Sequence, residues 1–277
     1  MSVKHTINCG GELINLSSPK VMGIINVTPD SFFSGSRKNR KNEVLITAKK
    51  MLSEGADFLD IGGYSSRPGA EDISVKSEIE RVLDPIKAIK EKFPEAIISI
   101  DTFRSEVAFK AIEAGAAIVN DISAGHLDRE MLETVSALKV PYIAMHMKGT
   151  PQTMKSMTNY DDILTEVISY FSNVIDKCRH LGIKDVIIDP GFGFAKTPKQ
   201  SFHLLNRLEQ LALLEKPILA GVSRKSMIYR TLDLTAEQAL NGTTALNTLA
   251  LFKGATLLRV HDIREAKEVV NLIKQLN

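Results

Sequence analysis

The chain has 277 residues, 44% of them hydrophobic and 25% charged, with 17 Gly, 10 Pro and a formal net charge of +2. This is a globular composition, and so small a charge speaks against a nucleic-acid partner while leaving room for a local basic patch suited to a small anion. Cys9 and Cys178 make neither a disulfide framework nor a zinc-ligand spacing, the N-terminus has no signal-peptide core, and no apolar run approaches the ~18 residues of a membrane span; a soluble cytoplasmic protein with free thiols is expected.

Near the N-terminus, "HTINCGGELINL" reads as a β-hairpin over about 4–16, turning at Gly10-Gly11 and plugging the bottom of the fold. Eight short apolar runs come next: "VMGIIN" (21–26), "DFLDIGG" (57–63), "AIISID" (96–101), "AAIVND" (116–121), "PYIAMH" (141–146), "DVIIDP" (185–190), "PILAGV" (217–222) and "ATLLRV" (255–260). Runs apolar on both faces suit a parallel sheet covered on both sides. Between them lie stretches of helical spacing, such as "EVLITAKKMLSEGAD", with Val44, Ala48, Met51 and Leu52 on one face and Gly55 as its stop. Gly55, Gly115, Gly182 and Gly254 each precede a strand, as helix-ending glycines do. Eight βα units in succession, with no linker between them, predict one domain over 1–277: a (β/α)8 (TIM) barrel over about 20–277 behind the hairpin. An open parallel sheet of eight strands is the alternative. Two loops, from Val27 to about Asn42 and from Tyr64 to about Ile73, are longer than packing needs and are expected to serve the site.

In such a barrel the C-terminal strand ends converge on one mouth. They carry Asn26, Gly62-Gly63 with Arg67 beyond, Asp101, Asn120 with Asp121, His146, Asp189, Ser223-Arg224-Lys225, and Arg259 with His261. Any one Asp or Asn there could simply form a turn or cap a helix. Arg, His and Lys are not needed for that, so the set as a whole points to a site. Asp101, Asn120 and Asp189 form an acceptor and amide wall suited to paired N–H donors, such as the edge of an aminopyrimidinone ring. Arg259 and His261 lie two residues apart, on one face of the last strand. With Asn26 and Arg67 they form a wall suited to phosphate or pyrophosphate. "DPGFGFAKT" (189–197) lacks the third glycine and the Gly-Lys-Ser/Thr ending of phosphate loops. Its glycines let backbone approach a flat ligand with Phe192 or Phe194 as an aromatic wall, or the loop merely turns.

"MGIINVTPDSF" (22–32), "SSRPGA" (65–70), "SIDTFR" (99–104), "VNDISAG" (119–125), "AMHMKGTP" (144–151), "DPGFGFAKT", "GVSRKS" (221–226) and "LLRVHD" (257–262) together resemble the dihydropteroate synthase family. The resemblance covers about residues 15 to 275. It implies a transferase of folate biosynthesis that joins p-aminobenzoate to a dihydropterin pyrophosphate and releases pyrophosphate. It further implies a pterin site of Asp101, Asn120, Met145, Asp189 and Lys225, and a pyrophosphate site of Asn26, Arg67, Arg259 and His261 with Asn26 on Mg²⁺. The implied p-aminobenzoate pocket is Phe32, Ser66, Pro68, Gly193, Phe194, Lys225 and Ser226, with Thr28, Pro29 and Asp30 ordering over pyrophosphate. Sulfonamides are the implied inhibitors and a homodimer the implied assembly. The departures are Ser66, where the family often has Thr, and a bulkier, more basic first loop carrying Phe33 and "SRKNRKN" (36–42).

An arylamine nucleophile is neutral at pH 7 and needs no strong base, so an SN1-like departure of pyrophosphate assisted by Mg²⁺ is expected, with Asn26, Arg67, Lys225, Arg259 and His261 as the groups at the reacting centre. Arg259→Ala is expected to damage the reaction far more than folding. His146 stays open between a site role and a structural one, while Asp121 and Asp262 are expected to support or cap rather than bind. Two other readings remain. A corrinoid-linked methyltransferase shares a pterin-binding barrel but has no pyrophosphate to hold, and "NVTPDSF", "SRKS" and the Arg259/His261 pair argue against it. A pterin-binding protein without turnover would bind ligand and release nothing.

Overall fold

Two strands, β1 (Thr6–Cys9) and β2 (Glu12–Asn15), pair antiparallel with Cys9 opposite Glu12. Gly10 and Gly11 turn between them at φ 62° and 97°, the consecutive positive values that a two-residue hairpin requires. The computed structural model describes residues 6–28, 37–66 and 72–276, with residues 37–40 described by their backbone alone.

Eight parallel strands come after the hairpin: β3 (Lys20–Asn26), β4 (Phe58–Gly62), β5 (Ile98–Asp101), β6 (Ile118–Asp121), β7 (Tyr142–Met145), β8 (Val186–Asp189), β9 (Leu219–Ala220) and β10 (Leu257–Val260). Each hydrogen-bonds to its neighbours in the order β8-β7-β6-β5-β4-β3-β10-β9, and a bridge from Ile188 to Ile218 joins the two ends. The last strand therefore lies against the first, with Arg259 opposite Met22, and the sheet is a closed barrel rather than an open one. The helices around it are α1 (Arg37–Ser53), α2 (Val75–Lys92), α3 (Ser105–Glu113), α4 (Met131–Leu138), α5 (Ile163–His180), α6 (Pro198–Asn206), the single turn α7 (Ser226–Tyr229), α8 (Leu240–Phe252) and α9 (Ile263–Ile273). One boundary differs from expectation. The run 37–42, assigned from sequence to the first loop, forms the opening turns of α1, because Arg and Lys are good helix formers and no Gly or Pro interrupts them. Within α1, Val44, Ala48 and Met51 are buried while Ile46 is exposed, as the spacing predicted. All four helix-ending glycines have positive φ.

Side chains alternate across a strand, and this alternation sorts the barrel into two environments. Ile25, Leu59, Ile61, Ile98, Ile100, Val119, Ala144, Ile188, Leu258 and Val260 face the helices in one continuous core. Facing the lumen at its lower end are Met22, Phe58, Ile118, Ile143, Ile187, Leu219 and Leu257, closed from below by Ile7, Cys9 and Leu16 of the hairpin segment. The hairpin is thus the expected plug, tied on by the Asn8 N–H donating to Asp185 at 2.9 Å. Two residues further along, on the same face, polar groups take over on β4 (Asp60), β6 (Asn120), β8 (Asp189) and β10 (Arg259), while Ile24 of β3 and Met145 of β7 are still apolar.

Candidate active site

The polar layer contains Asn26, Gly62, Asp101 and Asn120 in one lateral row, each paired with the next across β3 to β6. A Cβ at Gly62 would lie 3.5 Å from both Asn26 Oδ1 and Asp101 Cβ, so the glycine keeps a gap between these two side chains. One pleat lower on β4 is Asp60, fully buried. Arg259 reaches across the lumen to this group: its Nε donates to Asp60 Oδ2 at 2.6 Å and its Nη2 to Asp101 Oδ2 at 2.6 Å. The Asn120 side-chain amide donates to the same Asp60 oxygen at 3.1 Å, while Asp60 Oδ1 makes no hydrogen bond among the described residues. Burial pushes the Asp101 carboxyl up to about 7 against the pull of Arg259, with Asp60 adding to the rise. Arg259 is held above its ordinary range, since the two carboxylates outweigh its burial.

On the other side of the lumen, Met145 is opposite Asp189 in the β7–β8 ladder. Asp189 Oδ1 accepts from the Gly191 N–H at 2.7 Å, and burial raises its carboxyl despite the nearby Lys225. Lys225 donates to the Phe192 carbonyl at 2.6 Å and stands 4.8 Å from the centre of the Phe194 ring. Burial draws its ammonium down to about 8 while Asp189 resists. Gly221 borders the corner that Asp189 and Lys225 share, since its Cβ would be in van der Waals contact, at 3.8 Å, with both Asp189 Oδ2 and Lys225 Nζ. Gly193 adjoins the Lys225 stem, and Ser226, half-buried, opens α7 beside it. The two phenylalanines now separate. Phe192 is fully buried in the outer core, whereas Phe194 is half-buried beside Met145 and Met147, where an aromatic wall was expected.

At the rim the picture differs from the sequence reading. Arg259 and His261 share a strand face, yet they engage different partners: Arg259 turns down to the carboxylates, and His261 stays exposed with its ring at 3.0 Å from the Ser223 hydroxyl. The attraction of two buried carboxylates for a guanidinium exceeds anything the open rim offers it. Asp262 supports rather than binds, pairing with Arg224 at 2.5 and 3.0 Å, and it makes no side-chain cap to α9. Asp121 likewise braces a turn through Ser123 and Gly125 and accepts from the Tyr142 hydroxyl. His146 has the opposite parity to Met145 and is buried outside the lumen against Tyr170, so its role here is structural. Burial and Lys196 hold its ring down to about 2 and therefore neutral. Arg67, Pro68, Phe32, Pro29 and Asp30 lie outside the described residues; Thr28 is buried just beyond β3 and Ser66 is half-buried.

Sequence reasoning missed three buried charges, Asp60, Lys196 and Glu78, the last paired with Arg104. Asp60 had a readable signal, being an acid inside an apolar run with the same parity as Gly62. Lys196 had none, since a lysine in a Gly-rich loop is ordinarily solvated. Among the described residues no group of three or more His, Cys, Asp or Glu could hold a metal. No helix among them is long and apolar enough to cross a membrane.

Residues 22–261 match the family model described as "Pterin binding enzyme". A dihydropteroate synthase of Synechocystis is 42% identical over 259 residues, covering 92% of this chain and 89% of that protein. The dihydropteroate synthase of Escherichia coli is 39% identical, covering 95% and 94%. Among solved structures, the Yersinia pestis dihydropteroate synthase with a sulfonamide drug complex superposes with a TM-score of 0.92 at 36% identity, covering 98% of each chain. The Xanthomonas albilineans dihydropteroate synthase with 4-aminobenzoic acid gives 0.92 at 36%, covering 99% of this chain and 98% of that one. Identity at this level over nearly the full length, on a shared barrel, makes the chain a member of the dihydropteroate synthase family of pterin-binding transferases.

Proposed function

We propose that the chain condenses 6-hydroxymethyl-7,8-dihydropterin pyrophosphate with p-aminobenzoate, releasing pyrophosphate. The observation that carries this reading is the lumen wall of Asp101, Asn120 and Asp189 above an apolar floor, in a chain of this family. Ionised Asp101 and Asp189 accept from the N–H edge of the pterin, Asn120 adds its amide, and Met145 packs on the ring. Lys225 donates to the polar side of the pterin and forms, with Gly193, Phe194 and Ser226, one side of the p-aminobenzoate pocket. Ser66, Phe32 and Pro68 are proposed for its other side.

The bond that breaks joins the exocyclic methylene carbon to the pyrophosphate oxygen, and its electron pair leaves with that oxygen. The ring delocalises the cation left on carbon, the arylamine lone pair then closes the new C–N bond, and the amine proton passes to solvent. Asn26, Arg67, Arg259 and His261 are proposed to bind the departing pyrophosphate; Arg259, with N–H groups beyond those given to the carboxylates, couples the anion side to the pterin wall. Mg²⁺ binds through one or two protein oxygens completed by phosphate and water. Asn26, an amide oxygen at the mouth with no acidic cluster around it among the described residues, fits such a substrate-borne ion. When bound, the ion would neutralise charge on the leaving group.

We further propose a homodimer in the cytoplasm, with α8, whose Phe252 is 62% exposed, in the contact; sedimentation at micromolar concentration checks the assembly. The function itself is tested by pyrophosphate release that requires both the pterin pyrophosphate and p-aminobenzoate. Binding without release would leave a pterin-binding protein and overturn the synthase reading.

A further inference from the structure

Lys196 is only 6% exposed, and among the described residues it forms no ion pair. Its Nζ instead meets four acceptors: His146 Nδ1 at 2.8 Å and the carbonyls of His146, Gly191 and Phe194 at 3.2, 3.1 and 3.0 Å. Burial draws the Lys196 ammonium well below its ordinary range; while charged it can only donate, so Nδ1 then accepts, and its three hydrogens are shared among the four acceptors. Burying an ammonium without a carboxylate is costly, and a chain keeps such an arrangement where its hydrogen bonds hold something in place. Here they gather the loop between β8 and α6 and fasten it to the end of β7. The loop needs fastening. Gly191, Gly193 and Ala195 all have positive φ, 66°, 79° and 50°, a conformation unfavourable for alanine. A Cβ at Gly191 would come within 2.2 Å of the His146 carbonyl oxygen, so the loop backbone is pressed against β7.

The opposite face of the same loop carries Gly193 and Phe194 toward Lys225, whose ammonium holds the Phe192 carbonyl. The loop is therefore gripped by two lysines, Lys225 in the site and Lys196 from behind it. We propose that Lys196 is a positioning residue for the arylamine substrate: its hydrogen bonds to these acceptors lock residues 191–196 in the one conformation that presents Gly193 and Phe194 to the p-aminobenzoate pocket. This rests on the synthase reading above. The pterin contacts on β5 and β6 do not depend on the loop, and only Asp189 and Lys225 hydrogen-bond to it, through Gly191 and Phe192, so the effect of losing the clamp falls more heavily on p-aminobenzoate than on the pterin.

The test is Lys196→Met in the full chain, which keeps the stem and removes the donors. Amide exchange of ligand-free protein, read over residues 191–196, is expected to speed up about tenfold or more when the clamp is lost. KM for p-aminobenzoate is expected to rise about tenfold, with kcat and KM for the pterin pyrophosphate within about twofold. Unchanged exchange, or an equal change in both KM values, overturns the proposal. Should Lys196→Met fail to fold, His146→Ala removes one acceptor and should raise KM for p-aminobenzoate about threefold by the same split; an unchanged value overturns it. Absence of p-aminobenzoate-dependent release by the unmodified chain would instead overturn the synthase reading, and the exchange comparison would still judge the clamp.

Discussion

A guanidinium buried between two carboxylates is stable only while its partners remain charged and in place. Arg259 is 20% exposed, Asp101 16% and Asp60 not at all. Removing one member of a buried ionic group typically costs about 3–5 kcal/mol, because the partners keep their desolvation without compensation. The sequence expectation for Arg259→Ala, activity lost and folding kept, is thus amended: the variant should lose activity and also about 3 kcal/mol of stability near pH 8. Carboxyls whose folded-state pKa exceeds the unfolded value bind protons more tightly when folded, so their penalty is smallest in acid and grows as pH rises. With Asp101 pushed up to about 7 beside Arg259 and higher without it, the deficit of Arg259→Ala should shrink as pH falls from about 9 toward 7 and level off below, as urea midpoints would reveal. On the proposed reading the same carboxyl also binds the ligand. Once protonated it loses acceptor capacity for the pterin N–H edge, so affinity for a pterin should fall below pH 7, approaching about tenfold per unit, and level off above it. Titration calorimetry from pH 5.5 to 8.5 checks this, and Asp101→Asn should bind weakly with a flat profile.

Among the elements, most barrel strands divide into a lower apolar part and an upper polar part on the lumen face, β7 with Ile143 and Met145 being an exception, and substitutions in the two parts should have different signatures. Phe58, fully buried under the hairpin, belongs to the lower part. Phe58→Ala should cost about 3–5 kcal/mol of stability by opening a cavity, yet leave both KM values nearly unchanged; a large KM change would show that the two layers are coupled. The loop from β8 to α6 gives the converse case. Gly191→Ala places a Cβ on the His146 carbonyl at a left-handed backbone position, so the loop must move. A rise in KM for p-aminobenzoate of at least about tenfold is expected, with thermal unfolding less affected than in Phe58→Ala; normal KM would refute the loop's place in the pocket.

Across the molecule, closure of the sheet between β3 and β10 brings the first and last thirds of the chain to one mouth. A sulfonamide competing with p-aminobenzoate for that mouth should raise the KM for p-aminobenzoate without lowering kcat; inhibition that no concentration of p-aminobenzoate relieves would refute a shared pocket. Much of this was legible beforehand. Asp101, Asn120 and Asp189 could be singled out because each stands at the polar end of an apolar run, whereas Met145 came only from the motif that carries the family resemblance. The motifs supplied Lys225, Gly193 and Phe194. Asp60 was passed over because it is inside its run rather than at the end. Lys196 was passed over because nothing local distinguishes a buried lysine from a solvated one.

The order of residues settled on its own which strands exist, which residues on each share a face, and where the apolar floor gives way to polar groups. Those properties are local: alternation along a strand and spacing along a helix are set by covalent geometry. Which lumen charges meet was set by the closed barrel alone. Arg259 pairs with carboxylates 199 and 158 residues away in sequence, and His261 turns to Ser223 instead. Such contacts depend on barrel closure and on the competition among buried charges for a limited set of partners, which no local pattern encodes.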